Sequence, residues 1–215
     1  MVKTDITVVL DKSGSMGSYK TDTIGGFNQF LEEQKNAEGE ATLTLVQFDH
    51  KYEVMYEGTP IKDVRSLNES TYVPRGNTAL NDALGRRIVE TGERLSWMKE
   101  EDRPNQVLFV IITDGYENAS QEYTKAQVAA KIKEQREAYN WDFIYLAANL
   151  DAQAEAKSYE IPTSGAMEFS PKNFRGAIRG MSADVHSYRS KGVSGQSAGS
   201  LLSDENRAKN EVKGD

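Results

Sequence analysis

The 215-residue chain contains no cysteine, only two histidines and only five prolines. The missing thiols exclude disulfides, thiolate metal sites and cysteine nucleophiles, and they fit a reducing compartment. Positive charge is also scarce, with 26 Lys plus Arg against 33 Asp plus Glu and a formal net charge of −7. That balance argues against a nucleic-acid-binding body, which carries a basic footprint, and leaves metal ions and proteins as the expected partners. Long hydrophobic runs are missing too. The longest, Val107 to Ile112, is far shorter than a membrane span, and Val8-Val9-Leu10 is too short for a signal-peptide core. The sequence therefore reads as a soluble, cytoplasmic protein with no membrane or nucleic-acid partner. In that setting the triplets Asn68-Glu69-Ser70 and Asn118-Ala119-Ser120 read as chance matches to a glycosylation signal.

What is present is an alternation of short apolar runs with segments of helical period, the pattern of an α/β sandwich. Residues 6–10, 43–48, 107–112 and 143–148 read as buried strands, with 107–112 the central parallel one. Residues 51–56 alternate and read as a half-exposed strand after a tight turn at Asp49-His50, and 166–169 is a weak strand. Helical stripes run through Ile24, Phe27, Phe30 and Leu31, then Leu80, Leu84, Ile88 and Leu95. Further stripes run through Val128, Ile132, Gln135 and Tyr139, and through Phe174, Ile178, Met181, Val185 and Tyr188. Residues 58–77, rich in Pro, Gly, Ser and Asn, predict a loop crossing the surface. The charged stretch 93–103 reads as a solvated helix end whose Trp97 and Met98 touch the core. The domain is expected over 1–190, and 191–215 as a Gly/Ser-rich linker and disordered tail.

Two oxygen-rich segments sit where buried strands end: Asp11-Lys12-Ser13-Gly14-Ser15-Met16 and Thr113-Asp114-Gly115. A third, Gly76-Asn77-Thr78-Ala79-Leu80, closes the long loop and opens a helix. In an open parallel sheet the ligand crevice lies beyond the carboxyl ends of the strands, so all three converge there. Two carboxylates and three hydroxyls, with no His or Cys, make a hard-oxygen set suited to Mg²⁺. Asp49, at another strand end, is read as an ordinary turn aspartate.

In these three segments the sequence resembles a von Willebrand factor type A domain carrying a metal-ion-dependent adhesion site. Asp11, Ser13 and Ser15 match the family's Asp-x-Ser-x-Ser element, Thr78 its threonine and Asp114 its aspartate, and the likeness spans roughly residues 4 to 190. The resemblance implies a Rossmann-like three-layer α/β/α sandwich whose central sheet is mostly parallel with one antiparallel edge strand. It implies Mg²⁺ or Mn²⁺, with Ca²⁺ a further candidate, keeping one coordination position for an Asp or Glu of a partner protein. Relatives of this kind often act beside ATPases of the AAA+ type or within larger assemblies. In many members binding is coupled to movement of the last helix, which Phe174 to Tyr188 matches here. Ser18, Tyr19, Arg75, Tyr116, Glu117 and Asn118 are candidates for the partner-facing rim.

The reading is of a binding module, not an enzyme. Its rival is a Mg²⁺-dependent phosphatase with Asp11 as nucleophile, because the two aspartates after parallel strands suit that layout. Such enzymes place a second acid two positions after the nucleophile, where this chain has Ser13, and no catalytic lysine motif is evident. Neither histidine neighbours a serine motif, and no P-loop is present, so nucleotide hydrolysis would come from a partner.

Overall fold

A computed structural model of the protein describes residues 2–148, 151–170, 172–194 and 201–210. Strand β1 (Lys3–Asp11) shows how the sequence makes a central strand. Ile6, Val8 and Leu10 join one apolar core and Val9 the other, and all four are buried. Strand β4 (Gln106–Thr113) repeats this with Leu108, Val110 and Ile112 against Phe109 and Ile111. Both faces are apolar because helices cover both.

The remaining strands are β2 (Glu40–Phe48), β3 (Tyr52–Pro60), β5 (Asp142–Ala148) and β6 (Ala166–Phe169). They form one six-stranded sheet in the order β3-β2-β1-β4-β5-β6. Every neighbouring pair is parallel except β2 and β3, so β3 is the antiparallel edge strand expected from the sequence. Helices α1 (Lys20–Lys35) and α5 (Phe174–Ser194) supply one core, where Phe27, Phe30, Leu31, Phe174, Ile178, Met181 and Val185 pack. Helices α2 (Leu80–Ser96), α3 (Lys125–Tyr139) and the short α4 (Ala152–Ser158) supply the other.

The segment after β3 differs from the surface loop that its composition predicts. Strand β3 runs on to Pro60, a single 3-10 turn follows at Ile61–Asp63, and Ile61, Val64, Leu67 and Tyr72 are all buried in the α1-side core. Four large apolar side chains outweigh the turn-forming residues between them, and hydrogen bonds between Asn28 of α1 and the Leu67 backbone hold the segment against that helix. Helix α3 also departs from expectation. Tyr139 is exposed, because Asn140 takes a left-handed conformation (φ 55°) and ends the helix. Trp141 then packs beneath the sheet in its place, stacked on Phe109 at 5.5 Å between ring centroids. Of the 93–103 pair only Met98 packs on the core, and Trp97 is 88% exposed.

Beyond residue 190 the structure differs from a loose tail wherever it is described. Helix α5 continues to Ser194, and a further helix, α6, spans Asp204–Asn210. Leu202 is buried in the α1-side core, and the Asn206 side chain donates to the Gly180 carbonyl at 3.1 Å. The rest of the expected linker and tail, residues 195–200 and 211–215, lies outside the described residues. Among the described residues no helix is long and apolar enough to cross a membrane.

Candidate metal centre

Asp11 is the last residue of β1, and Asp114 follows the last residue of β4. The two strands are parallel neighbours, so both carboxylates emerge at the same end of the sheet. This is also the switch point, because β2 lies on one side of β1 and β4 on the other. After Asp11 the chain turns through a 3-10 segment, Gly14–Tyr19, into α1.

Hydrogen bonds tie the three segments together. Asp11 Oδ1 accepts from the Ser13 amide at 2.6 Å, and Asp11 Oδ2 from the Thr113 hydroxyl at 2.7 Å. The Ser13 and Ser15 hydroxyls lie 3.1 Å apart, and Ser15 Oγ donates to Asp114 Oδ1 at 2.7 Å. The third segment joins from above: the Gly14 amide donates to the Gly76 carbonyl at 3.0 Å and the Arg75 amide to the Lys12 carbonyl at 2.7 Å. Thr78 Oγ1 and Ser15 Oγ flank Gly115, where an added Cβ would stand 3.7 Å and 3.8 Å from them. All five expected ligand residues, Asp11, Ser13, Ser15, Thr78 and Asp114, are thus gathered at one place.

The electrostatics of this set are those of two neighbouring buried carboxyl groups. Asp11 is fully buried, and desolvation pushes its carboxyl up to about 6, with the nearby Asp114 charge adding to the rise. Burial raises the Asp114 carboxyl as well, partly offset by the Ser15 hydrogen bond. No Lys or Arg among the described residues pairs with either group. Lys12, although buried, turns its ammonium to Glu53 at 2.5 Å, and Arg75 spans Asp49 and Glu53 at 3.0 Å and 2.7 Å. Two buried carboxylates ringed by hydroxyls, with the protein's cations directed elsewhere, fit a hard divalent ion. Among the described residues no three His, Cys, Asp or Glu side chains cluster, so an ion held here would depend on the hydroxyls.

The six expected rim residues divide. Tyr116 is 64% exposed and Ser18 is exposed, with its hydroxyl donating to the Ser15 carbonyl. Arg75 is exposed but engaged by its two carboxylates. Tyr19 is not at the rim: it is buried, 5.6 Å from the Phe169 ring and 5.7 Å from Phe174. It falls on the inward side of the turn entering α1, which a motif read along the chain does not reveal. Glu117 points inward as well. Its carboxylate accepts from the amides of Asn81, Ala119 and Ser120 and from the Ser120 hydroxyl, all at 2.7–2.8 Å. Asn118 is exposed, yet its side-chain oxygen accepts from the Thr78 amide at 2.9 Å. Tyr72 and Lys12 were not singled out in the sequence. Tyr72 Oη donates to the Asp11 carbonyl at 2.6 Å, and only its apolar neighbours at 61, 64 and 67 could have signalled it.

A model of the von Willebrand factor type A domain matches residues 5–175. No curated protein sequence matches the chain. Among solved structures it is similar to proximal thread matrix protein 1 from the mussel byssus, at 17% identity over 83% of this chain and 46% of that one, TM-score 0.58. It is also similar to a von Willebrand factor type A protein from Catenulispora acidiphila, at 15% identity over 86% and 43%, TM-score 0.54. A third likeness is to the pilus adhesin SpaC from Lactobacillus rhamnosus GG, at 13% identity over 87% and 30%, TM-score 0.64. The chain spans less than half the length of each of these, and at such identities the likeness concerns the fold. The mussel protein has also been solved with zinc in its MIDAS motif. With the family model covering most of its length and the sheet order just described, the chain belongs to the von Willebrand factor type A domain family.

Proposed function

We propose that the protein is a non-catalytic, divalent-metal-dependent protein-binding module. Asp11, Ser13, Ser15, Thr78 and Asp114 would hold Mg²⁺ or Mn²⁺, and the ion would take an Asp or Glu side chain from a partner. The observation that carries this reading is the pair of buried carboxylates, Asp11 and Asp114, linked through the Ser13 amide and the Ser13 and Ser15 hydroxyls and paired with no Lys or Arg among the described residues. When bound, the ion supplies the positive charge that such a pair lacks and a coordination position for a partner oxygen. The chain's own residues do the rest. Thr113 and the Ser13 amide hold Asp11 in one orientation, and Ser15 fixes Asp114. Tyr116, exposed beside Asp114, offers the partner an aromatic contact. Water excluded by docking strengthens the carboxylate contact. The zinc in the mussel protein's MIDAS motif supports a divalent ion at the matching place. A cytoplasmic setting and an AAA+ ATPase or larger assembly as partner belong to the same proposal, by analogy with stand-alone relatives.

The phosphatase reading finds less support. Asp11 is fully buried with both oxygens engaged, whereas a nucleophile needs an open path to phosphorus. The test is selection from a random peptide library displayed on phage, run in Mg²⁺ and eluted with EDTA. Enriched sequences sharing an Asp or Glu, retained by the wild type and not by Asp114→Ala, are expected. Enrichment that resists EDTA or lacks an acidic residue would contradict the reading, as would Mg²⁺-dependent phosphatase turnover abolished in Asp11→Asn.

A further inference from the structure

Helix α2 begins immediately after Thr78 without a capping side chain of its own, because its N-cap residue is Ala79. Its first free amides are capped from 36 to 38 residues away. The Asn81 amide donates to Glu117 Oε2 at 2.8 Å and the Asp82 amide to Ser120 Oγ at 3.0 Å. Just before the helix, the bonding becomes reciprocal. The Thr78 amide donates to Asn118 Oδ1 at 2.9 Å, and the Asn118 amide donates to the Thr78 carbonyl at 3.0 Å. Both backbone groups of Thr78 therefore close on one residue, which stands four positions after Asp114.

From this we infer that Asn118 is a positioning residue for the ion, fixing the Thr78 hydroxyl relative to Asp114, and not a partner-facing rim residue. The inference rests on the metal-binding reading proposed above and deepens it. Its physical content is that two ligands from different loops reach one ion only if the loops hold a common geometry. Groups that orient metal ligands without touching the metal are typically worth about 10–100-fold in affinity. A carboxamide oxygen is suited to the task, since it accepts the Thr78 amide without adding charge beside Asp11 and Asp114. Glu117 has a different task, that of capping α2 and closing its own loop.

The test is calorimetric titration of Mn²⁺ into the full chain, with amide hydrogen exchange at Thr78 of the metal-free protein as a second readout. The variants are Asn118→Ala, Asn118→Asp and Asn77→Asp. The last adds a charge at an exposed neighbouring position without the acceptor. Asn118→Ala is expected to weaken Mn²⁺ by about 10–100-fold and to speed exchange at the Thr78 amide. Asn118→Asp keeps an oxygen acceptor for that amide and is expected to bind like Asn77→Asp, with slow Thr78 exchange restored. Wild-type affinity in Asn118→Ala, or Asn118→Asp as weak as Asn118→Ala, overturns the inference and leaves the metal reading standing. A wild type that binds no Mn²⁺ overturns the metal reading, and the inference falls with it.

Discussion

Tyr72 donates its hydroxyl to the carbonyl of Asp11 at 2.6 Å, across 61 residues of sequence. The tyrosine is fully buried, and it comes from the one long stretch whose composition reads as surface loop. It fixes the backbone of the residue at which β1 ends and the candidate metal centre begins. Tyr72→Phe keeps the ring packing and deletes the hydrogen bond, so it should cost about 1 kcal/mol in urea denaturation. A variant as stable as wild type would show that the bond contributes nothing net.

Gly76 holds a second joint of the same region. Its φ of +68° is a conformation that favours glycine, and an added Cβ would lie 2.2 Å from His50 Nδ1. Gly76→Ala therefore meets a backbone penalty of about 1–2 kcal/mol and a clash besides. Chemical denaturation of Gly76→Ala, His50→Ala and the double variant separates the two. The account predicts that removing the imidazole recovers the steric share and not the backbone share, giving clear non-additivity. Strict additivity would mean that His50 is not the obstacle.

A pH dependence follows from Asp142, at the start of β5. Burial raises its carboxyl above the usual carboxylate range, only partly offset by the Tyr188 hydroxyl donating to it at 2.8 Å. The folded state thus holds this proton more tightly than the unfolded chain does. The contribution to stability is present below the unfolded value and is lost as pH rises through the folded one. Asp142→Asn keeps an acceptor for Tyr188 and removes the buried charge. It should melt higher than wild type at pH 7, with the advantage shrinking as pH falls through the carboxylate range. An advantage that stays constant with pH would contradict this.

Leu202 tests whether residues beyond 190 belong to the folded unit. It is fully buried in the α1-side core, and its amide donates to the Ser164 carbonyl at 3.2 Å. Leu202→Ala should cost about 2 kcal/mol or more, the usual scale for a leucine truncated in a core. Lost stability below about 0.5 kcal/mol would be surface behaviour and would place Leu202 outside the core.

The parts of the fold that were legible in the sequence are those decided locally. Runs such as Val107 to Ile112 read as a central strand because both faces must be apolar under two helical layers. The ligand set was legible because Asp11, Ser13 and Ser15 lie within five residues, and Thr78 and Asp114 sit at recognisable element junctions. Long-range packing hid the rest. Tyr139 and Trp141 are two residues apart, and the left-handed turn at Asn140 decides which is buried. Tyr19 and Glu117 lie on the loops that carry the motif, but their direction depends on partners far along the chain, Phe169 and Phe174 for one and Asn81 for the other. A helix capped by a distant loop leaves no capping signature in its own sequence.

The most direct test of the metal-binding account is a thermal melt of wild type and Asp114→Ala with millimolar Mg²⁺, with Mn²⁺ and with EDTA. An ion at about 100-fold its dissociation constant stabilises the folded state by about 2.7 kcal/mol, enough to raise the midpoint by about 5–10 °C in a chain of this size. The account predicts a metal-dependent rise in wild type that disappears in Asp114→Ala. Equal midpoints with metal and with chelator, or a rise that survives in Asp114→Ala, would contradict it.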